Sequence, residues 1–162
     1  MATQPQPECE FMKLFLAVGL VGLLSTGAAS GQTPAGEWAV EDGTAHIRIA
    51  QCGNAYWGVI AWTKGPPGKD ENNPDPAKRD RSVMGMPILI NMQPSGSRWD
   101  GEVYNAENGE TYTSHISLED PDTLKIEGCV LGGIICGGES WKRVPLQKGA
   151  PTDQAVCSGV SK

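Results

Sequence analysis

Residues 123–144 read TLKIEGCVLGGIICGGESWKRV, and the near-symmetry of this stretch about Gly132-Gly133 decides the fold. A tight turn there pairs Leu131 with Ile134 and Val130 with Ile135, which sets Cys129 opposite Cys136. Directly opposed residues of an antiparallel pair have Cα atoms about 4.5 to 5.5 Å apart, within reach of a disulfide. Closing so short a loop is worth roughly 2.5 kcal/mol in the chain-entropy picture. Leu124, Ile126 and Val130 alternate with Lys125 and Glu127, so the first arm has one dry face and one wet face. That is the pattern of an antiparallel sheet covering a single core.

The same punctuation recurs toward the N-terminus. Asp42-Gly43 separates Glu37–Glu41 from Thr44–Gln51, and Gly53-Asn54 separates that segment from Ala55–Trp62. A long polar stretch follows, from Thr63 to Gly85. Then come Met86–Met92, Arg98–Tyr104 and Thr111–Leu118, divided by Pro94-Ser95-Gly96 and by a loop with Asn108-Gly109. Asp120-Pro121-Asp122 leads into Thr123–Leu131, and the last segment runs from Ile134 to about Val144. Eight strands in sequential order predict an all-β fold, a single eight-stranded up-and-down antiparallel β-barrel, in which closure removes exposed sheet edges. A β-sandwich is the alternative topology. In a closed meander the first and last strands are neighbours, which puts Arg143 over the face of Trp38 as a cation–π cap worth about 1 kcal/mol.

Composition agrees. The chain has 162 residues with 21 Gly and 12 Pro, too many breakers for a helical bundle. Five Trp, three Tyr and two Phe supply bulk for a core, and the length fits one domain. The net charge of -6 argues against a phosphate-binding surface, so no nucleic-acid partner is expected.

From Met12, one Lys precedes an apolar run from Leu14 to Leu24 and then small residues, the order of a secretory signal peptide. Eleven apolar residues make a helix of roughly 16 Å against about 30 Å of hydrocarbon, so no stable membrane span is expected. Residues 1–11, acidic at Glu8 and Glu10, read as a mis-assigned leader, 12–30 as the signal peptide, with cleavage near Ala29 to Gly31. Removing Glu8, Glu10 and Lys13 takes the net charge from -6 to -5. Cys52, Cys129, Cys136 and Cys157 stay, an even number suited to disulfides in an oxidising compartment. Residues 31–144 are then the barrel and 145–162 an irregular tail, since no helical period follows Val144.

Gly36-Glu37-Trp38 on the first strand and Arg143 on the last resemble the calycin signature shared by lipocalins. More specifically, the chain resembles the bacterial secreted family of domain of unknown function 2147. The resemblance runs through Glu41-Asp42-Gly43, His46–Ala50 with Cys52-Gly53, Asn73-Pro74-Asp75-Pro76 with Arg79 and Arg81, and Gly85–Leu89. It continues through Trp99-Asp100-Gly101, Tyr104-Asn105 to Tyr112, and Gly128-Cys129-Val130-Leu131 to Trp141-Lys142-Arg143. It implies a lipocalin-like barrel in the bacterial envelope or exterior, most simply the periplasm, and no established activity. Members carry a second Cys soon after the first, where this chain has Trp57. Cys52 therefore either bridges to Cys157 or both thiols stay free.

Candidate sites follow from residue chemistry. Tyr56, Gly58, Ile60 and Trp62 share one face of the third strand, and Trp57, Val59 and Ala61 the other. A strand apolar on both sides is either doubly buried or lines a cavity or contact surface. The 63–85 loop holds Asn73, Asp75, Arg79 and Arg81, which either meet a ligand carboxylate or pair with one another as a lid. An EF-hand calcium loop fails, because Pro74 and Asp75 fall where an oxygen ligand and the Gly belong. His46 and His115 read as surface residues, since zinc needs two more ligands. Met84, Met86 and Met92 read as packing rather than copper ligands. No nucleophile, base and oxyanion set is assembled, so no catalytic residue, metal or cofactor is assigned. The expectation is a small apolar or amphipathic ligand touching Tyr56, Trp57 and Trp62, with Arg79 or Arg81 at its head group. The rival is an envelope protein-interaction module using the loop, with a hydrolytic enzyme third.

Overall fold

A computed structural model describes residues 32–160. The expected leader, signal peptide and cleavage point lie outside the described residues. Eight strands close into one barrel: β1 (Gly36–Ala39), β2 (Ala45–Cys52), β3 (Ala55–Thr63), β4 (Pro87–Ser95), β5 (Arg98–Asn105), β6 (Glu110–Asp120), β7 (Thr123–Val130) and β8 (Ile135–Val144). Every neighbour is antiparallel and sequential, and β8 returns to β1 through Trp38 opposite Arg143. The β7–β8 register is the expected one, with Cys129 opposite Cys136, and their disulfide is formed.

Inward positions at the floor are filled by large side chains. Trp38, Ile49, Leu89, Met92, Ile116 and Leu124 are fully buried in one cluster. Arg143 closes that end: its guanidinium lies 4.1 Å from the Trp38 ring centroid and donates to the carbonyls of Thr33, Ala35 and Pro121. Gly36 has φ +145, and a Cβ there would sit 2.5 Å from Arg143 Nη1, so only glycine suits both demands.

The register shifts in several strand pairs, and those of β2–β3 and β4–β5 bear on the site. Ile47 pairs with Ile60 but His46 pairs with Trp62, so Ala61 is the extra residue on β3. Trp62 therefore leaves the face of Tyr56, Gly58 and Ile60 and stacks against outward-facing His46, ring centroids 4.5 Å apart. On β4 the register shifts between Ile90 and Gln93, and Asn91 takes φ 51. Gly101 lies opposite, where a Cβ would come 2.5 Å from the Ile90 carbonyl oxygen. Pro94 belongs to β4 rather than to the turn, which tightens to the residues between Ser95 and Arg98.

The tail is not irregular throughout. Helix α1 (Asp153–Val160) packs on β2 and β3, its Ala155 N–H capped by the Thr152 hydroxyl. Buried Val156 meets Ala50 and Val59 on the outer face, with Trp57 beside them. Arg48 pairs with Asp153, the Gln147 N–H donates to buried Glu37, and a Cys52–Cys157 disulfide ties the helix down. This explains the strand apolar on both faces: β3 is covered by the barrel core on one side and by the tail on the other. No helix among the described residues is long and apolar enough to cross a membrane.

Candidate functional site

The half of the barrel opposite the floor is hollow. A cavity of about 610 Å³ opens between the β1–β2 and β5–β6 connections and the facing ends of β7 and β8. Its position follows from pairing: inward residues step down β7 and β8 as Val130–Ile135, Gly128–Gly137, Ile126–Glu139 and Leu124–Trp141. The second pair has no side chains, so the wall recedes where the floor would otherwise have filled. A Cβ on Gly137 would meet nothing within 4 Å, and one on Gly128 would come to ordinary contact with Val103 and Tyr112. Ile47, Ile60, Ile126 and Trp141 form the bottom, while Val103 and Tyr112, opposite each other on β5 and β6, stand on the wall. Val130 and Ile135, both exposed, make an apolar rim. The size lies in the range of small-molecule sites.

Among the described residues three carboxylates line the cavity, Asp42 and Glu107 toward the mouth and Glu139 below them. Glu139 is next to Trp141 on the same strand face, and the Trp141 indole N–H donates to its Oε1. Ser114 is also inward, opposite Gly128; its buried hydroxyl has no hydrogen-bond partner among the described residues.

The predicted ligand residues sit elsewhere. Tyr56 is in the filled half, edge-on to Trp99 at 5.8 Å, and does not line the cavity. Trp57 faces outward beside α1, and Trp62 is turned outward by the bulge at Ala61. The aromatic side chains there are instead Tyr112 and Trp141, while Tyr104 borders the cavity with its hydroxyl turned to Asp70. Sequence alternation assigned the faces of β3 but could not register one extra residue.

The 64–86 loop is bound to itself and to β5. Asp70 is fully buried; its Oδ1 accepts from the Tyr104 hydroxyl at 2.6 Å, and its Oδ2 accepts from Asn73 Nδ2 at 2.7 Å. Arg81 adds Nε at 2.9 Å and Nη2 at 2.8 Å. Burial pushes the Asp70 carboxyl up, but the hydrogen bonds from Tyr104, Asn73 and Arg81 and the charge of Arg81 outweigh it. The group ends below the ordinary aspartate value. Burial, and then the bond to Asp70, raises the Tyr104 phenol. Arg79 Nε donates to the Asn73 carbonyl at 2.8 Å, and Asp75 caps the Pro76–Lys78 turn while contacting Lys78. The loop also packs on the β5–β6 connection: Asn72 donates to the Glu107 carbonyl, and a Cβ on Gly109 would collide with the Asn72 backbone. Paired acids and bases, the lid alternative, thus describe this segment. Trp57, Asn73, Asp75 and Arg81 do meet around a second, smaller hollow of about 450 Å³ beside the end of α1.

His46 contacts buried Glu37 at 2.9 Å, and His115 contacts Glu127 at 2.8 Å, on separate parts of the outer wall. The His115 bond, then Lys125, lowers the Glu127 carboxyl. Among the described residues no three metal-ligating side chains converge.

Comparison with known proteins agrees with this architecture. The bacterial family described as "Uncharacterized protein conserved in bacteria (DUF2147)" matches residues 36–143. The chain belongs to this family. No curated protein matches it. Among solved structures it is similar to one titled "Protein HP1028 from the human pathogen Helicobacter pylori belongs to the lipocalin family". The TM-score is 0.62 at 18% identity, covering 68% of this chain and 82% of that one, a likeness of fold. Two disulfides, one within the barrel and one fastening the tail, in a chain of a bacterial family are compatible with an extracytoplasmic location. Glu139 and the Gly128–Gly137 pair were missed by sequence reasoning. Their signal was there: Gly137, Glu139 and Trp141 recur every second residue, and two of the three are too small or too polar for a filled core.

Proposed function

We propose that this DUF2147 protein is a secreted, periplasmic binding protein, not an enzyme, that holds a small apolar or amphipathic ligand in the open half of its barrel. The observation that carries this is the inward Gly128–Gly137 pair, which leaves the mouth hollow while the floor is packed solid. Small barrels can fill their interior with side chains; this one does so only over half its length. The apolar bottom would take a hydrocarbon or aromatic body, and the polar groups above it would orient the other end.

The test is solvent extraction of protein purified from its native compartment, followed by mass spectrometry of the extract. A reproducible lipid-like or aromatic species at about one per chain is expected, and its loss from a Gly137→Leu variant ties it to the cavity. Protein that is consistently empty contradicts the reading and favours an interaction module. Export is tested separately by N-terminal sequencing: a mature chain starting near Ala29 to Gly31 is expected, and one starting upstream of Leu24 contradicts it.

A further inference from the structure

The described acidic side chains that are not freely exposed are six: Glu37, Asp70, Asp75, Asp100, Glu127 and Glu139. Five of them contact a basic side chain, respectively His46, Arg81, Lys78, Arg98 and, for Glu127, Lys125 with His115. Glu139 alone does not. Its hydrogen bond is the one from the Trp141 indole, which aims the carboxylate from the wall of the cavity rather than neutralising it. Among the described residues the cavity lining has Asp42 and Glu107 toward the mouth, Glu139 below them, and no Lys, Arg or His. A carboxylate beside Ile126 and Trp141 is partly stripped of water, and a cation reaching it would be attracted more strongly than in bulk solvent. The aromatic side chains of Tyr112 and Trp141 line the same cavity, and aromatic rings attract cations.

We propose that the ligand is a cationic amphiphile, an alkyl or arylalkyl amine, its ammonium group received by Glu139 and its apolar body by the cavity around it. This rests on the binding reading above and reverses the expectation that an arginine meets an acidic head group. Arg79 and Arg81 are engaged within the 64–86 loop and lie outside this lining. A fatty acid in the same cavity would place its carboxylate against Glu139 with no counter-charge, which is selection by repulsion as well as attraction.

The experiment is competition against a neutral apolar fluorophore, N-phenyl-1-naphthylamine, by decylamine and by decanoate at pH 7 and low salt. Wild-type protein should release the probe at about tenfold lower decylamine than decanoate. Glu139→Gln, which keeps an acceptor for the Trp141 N–H, should lose that preference, so that both competitors release the probe it binds at similar concentrations. Probe binding with equal displacement by both competitors in the wild type overturns the inference and leaves the binding reading standing. A wild-type preference that survives intact in Glu139→Gln also overturns it. No probe binding at all removes the binding reading and the inference together. The wild-type comparison needs no variant, so a poorly folding substitution does not shield the proposal.

Discussion

Arg143 fastens three segments of the floor at once, stacking on Trp38 and donating to carbonyls before β1 and in the β6–β7 turn. Arg143→Ala should lower stability by about 2 kcal/mol, since the ring contact and charge-assisted bonds are lost together. Arg143→Lys should recover only part of that, because an ammonium cannot spread over the ring and reach three carbonyls. Urea unfolding followed by tryptophan fluorescence measures both. Asp70 carries the clearest pH dependence. Its carboxyl titrates lower folded than unfolded, so its stabilisation is complete above about pH 4 and disappears as pH falls through the lowered folded value. Thermal melts between pH 6 and pH 2 should fall more steeply for the wild type than for Asp70→Asn. The variant should be less stable at pH 6, because Arg81 loses its buried partner.

Most strand limits were legible in the sequence, because turn residues and alternation report local geometry directly. Gly132-Gly133 predicted the register of β7 on β8, and through it the Cys129–Cys136 bridge. Helix α1 was not legible: it has only eight residues, includes Gly159 and Ser158, and exists by docking on Ala50 and Val59 rather than by its own propensity. Thr152 before Asp153 was the one local sign, an N-cap. Trp62 was misassigned for a different reason, since a bulge is a property of two strands and neither carries it alone. Docking through Cys52–Cys157 closes a loop of 105 residues, which chain entropy values at about 4.7 kcal/mol. Cys157→Ala, with Cys52→Ala to avoid a free thiol, should raise hydrogen exchange across α1 and red-shift the Trp57 emission. The far-UV signature of the barrel should stay, because β1 to β8 close without the helix.

On the scale of the whole molecule, the barrel is divided along its axis into a packed floor and an open mouth. The floor was legible, because Trp38, Ile49, Ile116 and Leu124 fall on apolar alternation. The mouth was not, because a cavity is an absence created when two glycines from different strands come opposite each other. Filling that absence is the most direct test of the account. Leucine at Gly137 points into open space and requires no positive φ, so the variant should fold with stability at or slightly above wild type. The decisive measurement is the titration of N-phenyl-1-naphthylamine into wild-type and Gly137→Leu protein, with circular dichroism confirming that both are folded. The account predicts saturable binding of about one probe per wild-type chain, weakened by about tenfold or more in the variant. Equal binding by the two folded proteins, or none by the wild type, would contradict it.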